Sequence, residues 1–295
     1  IRDFLLSERY GFSSGAADVD DVALAVAAND CDYLVTTADA GNEKRYTVNG
    51  WLDPAQPIGR NLQQLLGAMS GKLSYIAGVF ALYAGNYALT SIVIADGDLV
   101  GDIDFSNRNL RDAYNGARGL YRTPALDWQE EDYPGYQNAA ALTADGEERW
   151  IDLSLPLTTS AARCQRIAKI TVMRSRAART LRLRAKLSKL AARAGDVVTL
   201  NTVKTQVGAV AYEISSLSLS MGLAPTIEMD LVEVAAADYA WDAATEEAEL
   251  AVPEEPADSI IAWTLARLSA PSATPGSQTF NVGFDVTVSH NETGV

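Results

Sequence analysis

The clearest hydrophobic pattern in the chain lies in residues 147–187, where the spacing of apolar positions changes twice. Apolar and polar residues alternate over 147–155, which predicts a strand that Pro156 ends because proline cannot donate to a strand ladder. Residues 161–179 contain no glycine or proline, and their apolar side chains recur at helical spacing. Over 181–188, Leu or Ala alternates with Arg, Lys or Ser. This pattern predicts a strand with one buried face and one cationic face.

Residues 1–90 show the shorter patterns of a small α/β domain. Helical spacing predicts three helices, and two stretches of alternation predict a strand and a hairpin. The helices begin near Ile1, Asp18 and Pro57, the strand covers 46–52, and the hairpin covers 73–83. We expect Val22 and Val26 to lie on the buried face of the second helix.

Residues 91–244 are richer in alternating patterns and predict a second domain. One strand is expected over 113–122, where Gly116 and Gly119 indicate a bulge or a close backbone approach. Two long strands are expected over 207–221 and 227–234. Many strands with one packed helix, 161–179, indicate an α+β fold, and we expect a β-barrel-like domain with a flanking helix.

The last part of the chain has a different composition. Residues 245–258 are acidic and contain two prolines, which predicts a linker. Residues 259–295 end in a strictly alternating stretch and predict the start of a further β module. Because the chain begins with Ile1 inside a helical pattern, we expect it to be an internal piece of a longer polypeptide. Its 295 residues, of which 48% are apolar, suffice for two or three domains.

Charge is strongly segregated along the chain, whose formal net charge is −14. Eleven of the 24 Lys and Arg residues fall within 163–193, whereas 205–266 contains none and carries twelve Asp and Glu. Such segregation indicates surfaces that meet other subunits or line a pore, although an acidic protein with one basic helix face remains an alternative. The candidate subunit-interface residues are Arg163, Arg166, Arg174, Arg182, Arg184 and Lys186.

The candidate chemistry argues against an enzyme. The only histidine, His290, is near the end of the chain, and no metal-ligand or phosphate-loop motif is present. Four aspartates within 96–104 could hold calcium, but Asp-Gly turns explain them equally well. Cys31 and Cys164 are far apart and are expected to be free thiols. We therefore expect no enzymatic activity, no cofactor and no metal.

An aromatic, acidic stretch over 123–137 predicts an exposed loop. Its candidate contact residues are Trp128, Tyr133 and Tyr136, which could stack on sugar rings. A carbohydrate-binding or adhesive β module is therefore the alternative function, unless these side chains pack beneath the loop or at a subunit contact. No aromatic residues interleave with the basic segment, so we expect no specific nucleic-acid binding.

Several blocks of the chain resemble the central tail hub, or tip attachment (host specificity) protein J, family of long-tailed, lambda-like phages. The blocks are 158–169 with 193–200, then 1–11, which is similar to a D-L-L-T/S-x-x-R-Y-G helix end, and 109–119. They occur in matching order over roughly residues 1–245. Ala161 departs from the pattern, because proline is expected at the first helical position, and the last fifty residues do not match.

This resemblance implies a structural virion protein at the phage tail tip. It implies a tail-tube-type fold in the β-rich domain and a homotrimeric ring that closes the tail tube. The implied partners are distal tail or tail-tube proteins and the tape-measure protein, with DNA passing through the lumen. A host receptor would be bound through parts outside this chain.

Overall fold

The computed structural model of the chain describes residues 1–107, 113–124, 127–177, 179–203, 208–222 and 224–248. The predicted β module over 259–295, most of the predicted linker and His290 lie outside these residues. The described part has a mixed α+β architecture. Its six α-helices are α1 (Arg2–Leu6), α2 (Asp21–Asp32), α3 (Ile58–Gly67), α4 (Ala139–Asp145), α5 (Ala161–Ser175) and α6 (Ala243–Glu246).

Thirteen described strands form four sheets. The strands before residue 100 are β1 (Leu34–Thr36), β2 (Asn42–Lys44), β3 (Lys72–Ile76), β4 (Val79–Tyr83) and β5 (Leu89–Ala95). They are followed by β6 (Asp104–Asn107), β7 (Gly116–Arg122), β8 (Glu130–Gln137) and β9 (Trp150–Asp152). The last four are β10 (Arg179–Lys186), β11 (Val197–Asn201), β12 (Ala209–Ser220) and β13 (Thr226–Glu233). Strands β1–β2 and β3–β4 are separate hairpins, and the latter confirms the predicted one.

The largest sheet has six strands in the order β5-β11-β12-β13-β10-β6. Only the β5–β11 pair is parallel. The alternation predicted for β10 is confirmed, since Leu181, Leu183 and Ala185 are buried and the residues between them are exposed. The matching apolar face of β13 completes the core of this sheet. The expected β-barrel is not formed by the described residues, because β5 and β6 stand at opposite ends of an open sheet.

A second, three-stranded sheet has the order β8-β7-β9 and packs against α5. Ser160 caps α5 by accepting a hydrogen bond from the backbone N–H of Arg163, and Cys164, Ile167 and Ala168 face the core. The prediction of a loop over 123–137 was wrong for its second half, which is strand β8. Tyr133 and Tyr136 are both buried although they are three residues apart, because the β7–β8 register shifts between Ala117 and Gly119. This irregular spacing breaks the period of two and hid the strand in the sequence.

Three predictions in the N-terminal region were also wrong. The helix expected to begin near Asp18 begins at Asp21, and Asp20 caps it with a carboxylate that accepts from the backbone N–H groups of Val22 and Ala23. Val22 and Val26 are 76% and 54% exposed, because α2 turns Leu24, Ala27 and Cys31 to the core instead. Residues 46–52 pass through the structure as irregular chain and not as a strand.

The boundary predicted near residue 90 stays a prediction, but side-chain packing crosses it. Tyr46, Met69 and Leu82 share one hydrophobic core with the buried face of α5. Strand β5 likewise begins before residue 90 and joins the six-stranded sheet. The N-terminal elements therefore contribute to the environment of the basic helix.

Candidate interaction surface

The cationic side of α5 is covered by the chain itself. The Arg163 side chain is 6% exposed; its Nη1 donates to Thr47 Oγ1 at 2.6 Å and its Nη2 lies 3.1 Å from Glu43 Oε2. Arg166 is 5% exposed, and its Nη2 lies 2.7 Å from Glu43 Oε1. Burial lowers the pKa of Arg163, and the Glu43 carboxylate opposes that effect. Placing Arg163 and Arg166 at a subunit surface was therefore wrong, because the β1–β2 hairpin lies over them.

Arg174, on the last turn of α5, lies partly buried between this helix and the large sheet. Its Nη2 is 3.3 Å from Glu213 Oε2 on β12, and Lys72 of β3 contacts the same carboxylate. Glu213 is itself nearly buried. These charges connect three elements within one chain, so they stabilise the fold of the described residues.

The polar face of β10 is exposed, as predicted, but it is not simply cationic. Arg182 Nε donates to Asp230 Oδ1 at 2.7 Å, and Arg184 Nε donates to Glu228 Oε1 at 2.8 Å. Both acceptors lie directly opposite on β13. Lys186, at the end of the strand, is also exposed. The two halves of the segregated charge therefore meet here within one chain, in a ladder of cross-strand ion pairs.

The aromatic residues of 123–137 divide into buried and exposed groups. Tyr133 and Tyr136 are 3% and 9% exposed on β8 and pack into the core with α5, so the expectation of exposed contacts was wrong for both. Trp128 is 40% exposed, and its ring lies 6.5 Å from that of Trp51, which is 61% exposed. The guanidinium of Arg122 lies 5.0 Å from the Trp51 ring centroid. Sequence reasoning missed Trp51, because only the fold brings it to Trp128.

The aspartates of 96–104 are used in local structure. Asp98 accepts from the backbone N–H of Ala95 at 3.0 Å and lies 3.1 Å from Lys189 Nζ. The backbone hydrogen bond is the main reason that the pKa of Asp98 lies below its ordinary value. Asp96 accepts from the backbone N–H of Val203. No cluster of three potential metal-ligating side chains occurs in the described residues, and the calcium hypothesis has no support among them.

Three backbone edges of the large sheet have no neighbouring strand among the described residues. Two belong to β5 and β6, which end the sheet. The third is the second half of β12, since β11 pairs only with Ala209–Glu213 whereas β13 pairs along the strand as far as Ser220. Leu219 and Met221, expected on an apolar face, are 47% and 79% exposed, because this half of β12 runs past the core. Phe105 on β6 is 55% exposed.

No helix of the described chain combines the length and the apolar character needed to cross a membrane.

Two comparisons with known sequences both match proteins of phage tails or baseplates. Residues 68–213 match the profile of a family described as "Putative phage tail protein". The chain is also 23% identical over 197 residues to the baseplate hub protein pb3 of Escherichia phage T5, a match that covers 61% of this chain. The chain spans about a fifth of the length of that relative (21%). None of these descriptions names a catalytic activity.

Two solved structures were compared with the chain at the level of fold. A chain from the virion of a native gene transfer agent particle has a TM-score of 0.52 and 23% identity, over 72% of this chain and 44% of that chain. A tail protein from Neisseria meningitidis MC58 is similar at a TM-score of 0.46 and 13% identity, over 74% of this chain and 68% of that one. The first of these matches supports the mixed α+β architecture.

Proposed function

We propose that this virion protein of a phage tail is part of the central hub at the tail tip. Its residues 68–213 match the family described as "Putative phage tail protein". The baseplate hub description of the phage T5 relative and the residue blocks similar to the tip attachment family both support this role. In this proposal three copies form a ring that closes the tail tube. The ring docks on distal tail or tail-tube proteins and meets the tape-measure protein, and receptor-binding parts lie elsewhere in the polypeptide.

The open six-stranded sheet is the observation that carries the proposal. Unpaired strand edges are templates for pairing with another chain, and proteins that remain monomeric usually block them. Among the described strands, β5 and β6 leave two unlike edges at opposite ends of one sheet. Unlike edges on one chain favour a head-to-tail arrangement, which closes into a ring when the rotation between copies allows it. A tail-tube-type domain that is open as a monomer would thus become continuous in the assembly.

The free half of β12 adds a second contact to the proposed ring. Leu219 and Met221 expose apolar side chains on an extended hairpin, next to backbone groups that no described strand pairs with. Burying them against another copy would remove apolar surface from water and would at the same time pair the backbone N–H and C=O groups of the strand edge. The basic side of α5 has no such role, because Arg163 and Arg166 are already neutralised within the chain.

The test is the mass of the purified 295-residue chain across a range of concentrations by sedimentation velocity. We expect three times the 31.6 kDa of one chain, and monomers for the double variant Leu219→Asp and Met221→Asp. The matched control is Val22→Asp with Val26→Asp, which adds the same two charges to the exposed apolar face of α2. A monomeric wild-type chain at every soluble concentration, or a control that dissociates equally, would contradict the ring.

The alternative function, a carbohydrate-binding or adhesive module, now depends on Trp51 and Trp128. Two indole rings in edge contact at the surface, with Arg122 beside them, form a platform on which a sugar ring could stack. Binding of the chain to immobilised glycans that disappears in Trp51→Ala, but not in Tyr75→Ala at another exposed aromatic, would favour the module. Trimers without glycan binding would favour the hub.

A further inference from the structure

A cavity of about 300 Å³ lies beside the basic side of α5, away from the sheet edges. The residues around it come from the β1–β2 region, from α5 and from the segment after β13. Those used below are Tyr33, Arg45, Arg166, Lys169, Tyr239 and Trp241. The cavity is large enough for a small organic ion.

Buried hydrogen-bond donors without acceptors adjoin this cavity. The Arg166 side chain is 5% exposed; its Nη2 donates to the carbonyl of Arg45 at 3.2 Å and faces Glu43, but its Nε and Nη1 have no hydrogen-bond partner. The indole Nε1 of Trp241 is also buried and without a partner. Buried donors in native proteins are nearly always paired, so each unpaired one requires an explanation. Two side chains that line one cavity therefore carry unpaired donors, and because both donor groups are closed to solvent, an acceptor bound in the cavity would reach them only after a side-chain rotation.

The charge at the cavity has one sign. Among the described residues that line it, Arg45, Arg166 and Lys169 are cationic and none carries a carboxylate. Glu43 and Glu246 are not among the lining residues, but they pair with them: Glu43 is shared by Arg166 and Arg163, and Glu246 contacts Lys169. Tyr33, Tyr239 and Trp241 supply aromatic walls. A partly enclosed site with excess positive charge and unpaired donors favours an anion.

We infer that this cavity is a binding site for a small organic molecule with an oxyanion group, either a phosphate or a carboxylate. The rest of that molecule contacts the aromatic walls. Arg166 and Trp241 donate the hydrogen bonds, while Lys169 and Arg45 supply positive charge. The inference is independent of the hub proposal, because the cavity lies within one chain and needs no second copy. Trp241 lies in the segment after β13, which Lys169 already ties to α5 through the carbonyl of Ala240 and the carboxylate of Glu246, and a bound anion would add a further contact between them.

The experiment titrates inorganic phosphate and, separately, acetate into the 295-residue chain by calorimetry, with chloride at matched ionic strength as reference. Melting temperature is followed in parallel, since a ligand that binds only the folded state raises it. We expect binding of at least one oxyanion above the chloride response. Phosphate alone assigns a phosphate site, acetate alone a carboxylate site, and both together the shared oxyanion chemistry.

Three variants locate the bound ion. Trp241→Phe keeps the aromatic ring and removes only the Nε1 donor, and should weaken binding about tenfold, as expected for one hydrogen bond to a charged group. Arg166→Gln should abolish it. Arg182→Gln removes one positive charge from the exposed face of β10 and should bind like wild type.

Two results would overturn the inference. One is a wild-type chain that responds to phosphate and acetate no more than to chloride. The other is equal binding by Trp241→Phe and wild type, which remains decisive even if Arg166→Gln fails to fold.

Discussion

Glu43 Oε1 lies 2.7 Å from Arg166 Nη2, so a hairpin in the first fifty residues is fixed to the central helix by one carboxylate. The other oxygen of Glu43 lies 3.1 Å from Arg163 Nη2. One anion therefore serves two buried cations. Ion pairs of this kind contribute little net stability compared with apolar packing, but they are costly to break because the remaining charge stays buried.

The first prediction concerns this carboxylate. Glu43→Gln should lower the free energy of unfolding by about 3 kcal/mol, since it leaves the Arg163 and Arg166 guanidinium groups without their counter-charge. Urea unfolding followed by circular dichroism measures the loss. Glu228→Gln, which breaks only the more exposed pair with Arg184, should cost less than about 1 kcal/mol. Equal losses in the two variants would show that Glu43 has no special role.

The second prediction concerns pH and the exposed ladder. The pKa of Asp230 lies below its ordinary value because Arg182, and secondarily Ser216, donate hydrogen bonds to the carboxylate. A lowered folded-state pKa gives stability that is present above the unfolded pKa of about 3.9 and is lost as pH falls through the folded value. Wild type should therefore exceed Asp230→Asn in stability at pH 7, and the difference should begin to shrink as pH falls below about 4 and vanish only below the lowered folded-state pKa. Urea midpoints of both proteins across this range provide the measurement; a difference independent of pH would contradict the assignment.

The third prediction concerns the two free thiols. Burial raises the pKa of Cys164 to about 12 and that of Cys31 to about 11. At pH 8 both side chains are therefore almost entirely in the thiol form, whereas the thiolate is the reactive form. The native chain should react slowly with a disulfide reagent, with Cys31 modified before Cys164. In denaturant both thiols should react at once, which gives two modified cysteines per chain. Replacing Cys31 by Ser should remove the earlier native phase, and its persistence would contradict this order.

Local periodicity was sufficient to predict several elements of the fold. The helix that starts at Ala161, the alternation of β10 and the hairpin over 73–83 depend on neighbouring residues, and the structure confirms all three. The exposed valines of α2 show the limit of this reasoning. A helix with apolar side chains on more than one side can bury either, and the fold determines which side meets the core.

The candidate site was harder to predict because its charges pair over long separations in sequence. Arg163 and Arg166 looked like interface residues because their partner, Glu43, lies in a short polar stretch with no helical or strand pattern of its own. Arg182 and Asp230 belong to strands whose pairing cannot be read from either segment alone. Segregation of charge along the sequence therefore reflected contacts within the chain as well as any contacts between copies.

The fourth prediction concerns Gly119 in β7, one of two glycines expected to mark a bulge or a close backbone approach. Both features occur, since the β7–β8 register shifts between Ala117 and Gly119, and a Cβ atom on Gly119 would lie 2.2 Å from the carbonyl oxygen of Leu153. Gly119→Ala must push the backbone of Leu153 away and should lower the free energy of unfolding by about 2 kcal/mol. Gly97→Ala is the matched control, because nothing lies within 4 Å of its added Cβ, and it should change stability by less than about 0.5 kcal/mol. Urea unfolding of the two variants measures both effects, and a neutral Gly119→Ala would mean that β7 does not approach Leu153 this closely.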